Sequence, residues 1–188
     1  LGNPYWSGFS ENFRLHHNFT NGDMVDSLRD IIGGGGHMAP TADKMRRGIP
    51  LGGMSPGRDL NTGGANYFFT RIKEKDKAHR KQGIVWKSKV AARVDAITYD
   101  SDFFGDTRGN HVKENRRTTI EQMKMAVNNG TNETILKDSL SIFDDVDRIV
   151  CKNRAEVREV IKLFTDAGLE EWPDGRALTE VIRTAPDR

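Results

Sequence analysis

The residues in this chain best suited to chemistry are a late acid and an early pair of histidines. Glu133 stands in Thr131-Asn132-Glu133-Thr134-Ile135-Leu136, directly after the Asn129-Gly130 turn and leading into a strand-like stretch. His16 and His17 lie far upstream, in Leu15-His16-His17-Asn18-Phe19-Thr20, which also reads as a strand. Between them comes an aromatic run, Asn66-Tyr67-Phe68-Phe69-Thr70-Arg71-Ile72. A lone carboxylate, imidazoles, hydroxyls and an aromatic strand suit cleavage of the bond between nicotinamide and ribose in NAD. Positive charge develops on the sugar in that reaction, and a carboxylate beside the ribose 2′-hydroxyl stabilises it, as in sugar hydrolysis. Donors hold the ribose and the carboxamide, a ring stacks on nicotinamide, and no metal is needed. Taken singly, each piece has a plainer reading: Glu133 as a surface acid, either histidine as structural, Tyr67 as core. Their order along the chain carries the weight.

The elements that must position these groups follow from pattern. Phe13 to His17 alternates as a strand. Asp23 can cap a helix whose apolar face is Met24, Val25, Leu28, Ile31 and Ile32, ended by Gly33 to Gly36. That glycine run, with His37-Met38 after it, also resembles an engineered junction. Residues 37–66 are irregular and rich in Gly, Pro and Met, a length that is usually functional or mobile. Residues 66–72 form a strand, and Ile84 to Tyr99 holds one or two more, with Val90, Val94, Ala96 and Ile97 as core candidates. Asp100 to Asn110 is a turn-rich loop. Thr118 opens a helix carrying Ile120, Met123 and Val127 on one face. Thr134 to Leu136 and Arg148 to Cys151 are short strands. Asn153 and Glu156 form a capping-box pattern ahead of Val157, Val160, Ile161 and Phe164. Trp172-Pro173-Asp174-Gly175 is a turn, and Leu178, Val181 and Ile182 belong to a last short element. The expected class is α+β, with residues 1–12 as an N-terminal arm or linker and 13–188 as one domain.

Bulk composition narrows the function classes. The chain has 188 residues, 36% hydrophobic and 30% charged, which fits a polar-surfaced globular domain rather than a membrane-embedded one. It begins on Leu1 without a leader pattern and reads as a fragment or processed form. One cysteine, Cys151, excludes an internal disulfide and a cysteine-based metal cluster, and its apolar neighbours make it an inert core thiol. A formal net charge of +2 does not by itself imply nucleic acid. The charge is uneven, though: Arg71 to Arg93 is strongly basic, which reads as a solvated segment or as a patch facing an anionic partner. There is no P-loop, Rossmann glycine pattern or metal quartet.

Asn132-Glu133-Thr134-Ile135-Leu136 resembles the Asn-Glu strand of the poly(ADP-ribose) polymerase catalytic fold, within the ADP-ribosyltransferase superfamily. Leu15-His16-His17 with Thr20 is similar to that family's first-strand motif, and Ser27-Leu28 to Gly33 to the segment after it. Gly64 to Thr70 resembles the aromatic strand that backs the nicotinamide. The resemblance implies a split β-sandwich with a few peripheral helices. It implies that His17, or failing it His16, binds a ribose hydroxyl, and that Thr20 helps hold the ligand. Tyr67, with Phe68 beside it, would stack on nicotinamide, with Tyr99 as a competitor. Glu133 would be catalytic. A second branch, similar to cholera-type toxins, uses Arg, Ser and Glu, a set that Arg14, Ser55 and Glu133 could fill. Thr131 stands where arginine-modifying members carry Glu or Gln, which argues against that target.

The resulting expectation is a mono-ADP-ribosyltransferase that uses NAD, releases nicotinamide and modifies a macromolecular acceptor without a metal. The expected setting is a bacterial toxin, effector or defence domain acting in a cytoplasm as part of a longer protein. Two rivals stand beside it: a non-catalytic NAD- or ADP-ribose-binding module, and a nucleic-acid-binding protein using residues 71–93.

Overall fold

Alternation along the strands divides the chain's side chains between two unlike faces of one sheet. The computed structural model describes residues 12–19, 24–38, 68–91, 93, 95–99, 111–114 and 120–186. The strands are β1 (Phe13–His17), β2 (His37–Met38), β3 (Phe68–Glu74), β4 (Gly83–Trp86) and β5 (Ile97–Tyr99), followed by β6 (His111–Glu114), β7 (Glu133–Leu136), β8 (Leu140–Ser141), β9 (Val146–Cys151) and β10 (Ile182–Thr184). Eight of them form a sheet in the order β10-β9-β4-β1-β3-β7-β5-β6. Only β9 and β10 pair in parallel; the other neighbours are antiparallel. Strands β2 and β8 make a separate two-stranded ribbon. The helices are α1 (Met24–Gly33), α2 (Lys75–Ala78), α3 (Ser88–Ala91), α4 (Ile120–Asn128), α5 (Ile142–Asp145), α6 (Arg154–Asp166) and α7 (Leu178–Val181). The mixed α+β class expected from the sequence is the one adopted.

On the first face, Phe13, Leu15, Phe68, Ile72, Ile84, Leu136 and Ile149 join Met24 and Leu28 of α1, Met123 of α4, and Val160 and Phe164 of α6 in one core. Each such side chain, fully buried, contributes roughly 1.5–3 kcal/mol. The second face carries a much smaller apolar cluster, Ala78, Val85 and Val150. All four residues of β4 are buried, so this strand is covered on both sides and shows no alternation.

Two helix ends explain themselves locally. Asn153 Oδ1 accepts from the Glu156 N–H at 2.8 Å, as the capping pattern requires. Glu156 departs from that pattern: it accepts from the Lys152 N–H at 2.9 Å and from Gln82 Nε2 at 2.9 Å, which ties α6 to the turn before β4. At the end of α1, the Gly36 N–H donates to Ile31 O at 2.8 Å and the Gly35 N–H to Ile32 O at 3.0 Å. This is a Schellman closure. Gly35 and Gly36 have φ of 89° and 82°, and a Cβ on Gly36 would strike the Phe143 ring. Gly35 and Gly36 of the glycine run therefore have a structural role at this helix end.

Among the described residues no helix is long and apolar enough to cross a membrane. Residues 1–11 of the expected arm, residues 39–66 of the irregular segment and the 100–110 loop lie outside the described residues.

Candidate functional site

Strand register decides which of the sequence-predicted residues can meet. His16 pairs with Arg71 across β1 and β3, and Thr70 pairs with Thr134 across β3 and β7. Arg71 and Glu133 each stand one residue along from that second pair, so both project from the opposite face. Tyr99 on β5 pairs with Glu133. His16, Arg71, Glu133 and Tyr99 therefore form one transverse row on the second face. At a strand spacing of about 4.8 Å, the Cα atoms of His16 and Glu133 are roughly 10 Å apart.

His17 is not in this row. It projects to the core side with Leu15, where its ring lies 5.0 Å from Phe68 and 5.3 Å from Phe19. Its Nδ1–H donates to Phe69 O at 3.2 Å. Phe68 is buried on the same core side. The preference for His17 as the ligand-facing histidine thus meets a geometric objection: the sheet separates both His17 and Phe68 from Glu133, whereas His16 shares its face. Thr20, Ser55 and Tyr67 lie outside the described residues. Arg14 is on the second face, but its Nε is 3.5 Å from Asp147 Oδ2 and its Nη1 donates to Phe13 O at 2.8 Å.

His16 is 1% exposed and fully engaged. Lys81 O can only accept, so the 3.2 Å contact with Nε2 puts the ring proton there. Nδ1 is then the acceptor for Lys73 Nζ at 3.4 Å. Burial, and after it the Lys73 charge, push the imidazole down to about 3, so it is neutral. Lys73 is itself pushed down to about 8, by burial first and then by Lys81 and Arg71. β4 can approach this ring because position 83 is glycine, at φ 140°. A Cβ there would meet the His17 carbonyl and lie 3.0 Å from the His16 ring.

Glu133 is half-buried and is placed by its neighbours. Asn132 is 3% exposed and acts as a surrogate strand partner for Ile72. Its Oδ1 accepts from the Ile72 N–H at 3.0 Å, and its Nδ2 donates to Ile72 O at 3.0 Å. The same amide donates to Ala126 O at 3.1 Å and Asn129 O at 3.0 Å, which ties the end of α4 to β3. On the core side, Thr70 Oγ1 donates to Thr134 O at 2.9 Å and the Thr98 and Thr134 hydroxyls bond at 2.8 Å. These contacts lock β3, β7 and β5 in register. Arg71 Nη1 donates to Gly130 O at 3.1 Å, in the turn just before Glu133.

Three other chemical groups are placed away from this row. Cys151 is buried, and burial followed by Glu156 pushes its thiol up to about 12, which makes it inert. Burial alone would raise the Asp147 carboxyl, but the His79 hydrogen bond at 3.0 Å and the charges of His79, Arg14 and Arg176 outweigh it and hold it below the usual range. A cleft of about 460 Å³ is lined by Lys87, Lys89, Phe143, Asp144, Asp145, Pro173 and Asp174 and includes none of the predicted residues. Its cations are paired, Lys87 with Asp174 at 3.0 Å and Lys89 with Asp145 at 3.4 Å. No group of three metal-ligating side chains occurs among the described residues.

Lys73, Lys81, Gly83 and the positioning role of Asn132 were not singled out as site residues from sequence. Gly83, at the mouth of an apolar run, was the signal most open to reading. No family model, curated protein or solved structure matches the chain.

Proposed function

We propose that this chain is a mono-ADP-ribosyltransferase that consumes NAD, releases nicotinamide and works on the second face of the sheet. The observation that carries the reading is the single row of His16, Arg71, Glu133 and Tyr99. It offers a carboxylate for the developing sugar cation, a guanidinium suited to phosphate and a ring suited to nicotinamide. His16, rather than His17, holds a ribose hydroxyl. Because both its nitrogens are occupied, that hydroxyl has to displace Lys73 from Nδ1.

In the reaction, the bond between ribose C1′ and the nicotinamide nitrogen breaks, and its electron pair neutralises the pyridinium ring. Glu133 stabilises the positive sugar. The acceptor nucleophile forms the new bond to C1′ and gives up its proton. The split-sandwich architecture belongs to the same proposal.

NAD labelled in its adenylate half, incubated with the protein and a cell lysate, should leave label on a macromolecular fraction. Label confined to small molecules, or label transferred equally by Glu133→Gln, contradicts the reading.

A further inference from the structure

Among the described residues, Lys77, Lys87, Lys89, Lys152 and Lys162 each meet a carboxylate at 2.6–3.5 Å. Lys73 meets an imidazole instead: its Nζ lies 3.4 Å from His16 Nδ1. That ring is 1% exposed and is fixed from its far side by the Nε2–H bond to Lys81 O at 3.2 Å. Nδ1 is therefore a stationary, uncharged acceptor. It orients one N–H of Lys73 and leaves the charge of an ammonium group uncompensated.

The charges that act on Lys73 have its own sign, Lys81 first and then Arg71. Arg71 stands two residues back along β3 and shares the second face. Its Nη1 donates to Gly130 O, a carbonyl that does not neutralise it. Lys81 is exposed in the turn before β4. Burial and a neighbouring cation each favour the neutral amine, and together they turn a lysine from a fixed charge into a nucleophile. Both act here, and they push the amine down to about 8. Roughly a tenth of it is then uncharged at pH 7, against less than about a thousandth for an ordinary lysine. Lys73 is half-buried rather than sealed.

A neutral primary amine adds to a carbonyl carbon. Arg71 and Lys81, exposed beside it, suit an anionic group on the same molecule. Two cations match the double charge of a phosphate monoester better than the single charge of a carboxylate. We propose that Lys73, aimed by His16, forms a Schiff base with a small phosphorylated aldehyde or ketone whose phosphate is held by Arg71 and Lys81. This site does not depend on NAD being the substrate of the neighbouring row. The Lys73 nitrogen bonds to the carbonyl carbon, and one of its protons passes to the carbonyl oxygen. That hydroxyl then leaves with the second nitrogen proton as water, and the carbon–nitrogen double bond forms without an oxidant or reductant.

The test uses pyridoxal 5′-phosphate as the phosphorylated aldehyde. The whole chain is mixed at pH 7 with less than one equivalent of it, the Schiff base is reduced with cyanoborohydride, and the modified lysine is located by peptide mass mapping. Lys73 should be labelled at least about tenfold faster than Lys87 or Lys89, whose ammonium groups are held by carboxylates. Pyridoxal, which lacks the phosphate, should lose that preference. Lys81→Gln, an exposed change that keeps the backbone carbonyl on His16, should slow labelling of Lys73 several-fold at an unchanged melting temperature. Labelling of Lys73 no faster than of Lys87 and Lys89 would leave it a hydrogen-bond donor to His16 and overturn the proposal. Equal labelling of Lys73 by pyridoxal and its phosphate, or an undiminished rate in Lys81→Gln, overturns it as well.

Discussion

Asn132 supplies the two hydrogen bonds that a neighbouring strand would give Ile72, and it does so at the residue before Glu133. Removing that amide strands a buried N–H and several carbonyls, each worth about 1–3 kcal/mol when unsatisfied. Asn132→Ala should therefore cost about 3 kcal/mol in urea unfolding. A loss below roughly 0.5 kcal/mol, the scale of an ordinary surface change, would refute the role. His16 carries a second prediction, in pH. Its imidazole titrates at about 3 when folded and near 6.5 otherwise. Between those values the unfolded chain binds the extra proton, so stability rises with pH through the window and is lost as pH falls from 6.5 toward 3. At about pH 5 this alone removes roughly 2 kcal/mol relative to neutral pH. His16→Gln should flatten the dependence between about pH 7 and 5, above the range where carboxylates contribute; an unchanged slope contradicts a buried neutral ring. Alternation along β1 puts His16 and His17 on opposite faces, and that much was legible in the sequence. Which of them joins Glu133 depends on register through β3 and β7, set by pairings such as His16 with Arg71 and Thr70 with Thr134 that are remote in the chain, and no local pattern encodes that.

Elements with strong periodicity were readable, and those built by their surroundings were not. β1, α1 and α6 follow their apolar spacing closely because each buries one stripe against the core. The run from Ile84 to Tyr99 was harder. β4 is buried on both faces, and the short helix α3, which was not expected, lies between the two strands β4 and β5 of that run. The ribbon of β2 and β8 has two residues on each side, too few to alternate. It depends instead on the turn after α1, where Gly36 O accepts from the Ile142 N–H at 2.8 Å. Gly36→Ala combines a left-handed backbone with a collision against Phe143 and should cost about 3 kcal/mol. Thermal or urea unfolding checks this, and a neutral substitution would mean that the Schellman turn and the ribbon yield easily. Asn153→Ala at the start of α6 should cost about 1 kcal/mol, through loss of the 2.8 Å cap.

At the scale of the molecule, the sheet separates two tasks. One face joins α1, α4 and α6 in the core, and the other gathers His16, Arg71, Lys73, Glu133 and Arg148. A formal net charge of +2 conceals that asymmetry, because the paired lysines and the crowded ones count alike in a sum. On the proposed transferase reading Glu133 is the catalytic acid, and the register gives that acid a histidine, an arginine and a tyrosine on its own face. The most direct measurement is nicotinamide release from NAD by the wild-type chain and by Glu133→Gln, with thermal unfolding recorded on both. The account predicts release by the wild type and a loss of about 100- to 1000-fold in the variant at an unchanged melting temperature. Equal release by the two proteins, or none by a folded wild type, would contradict it.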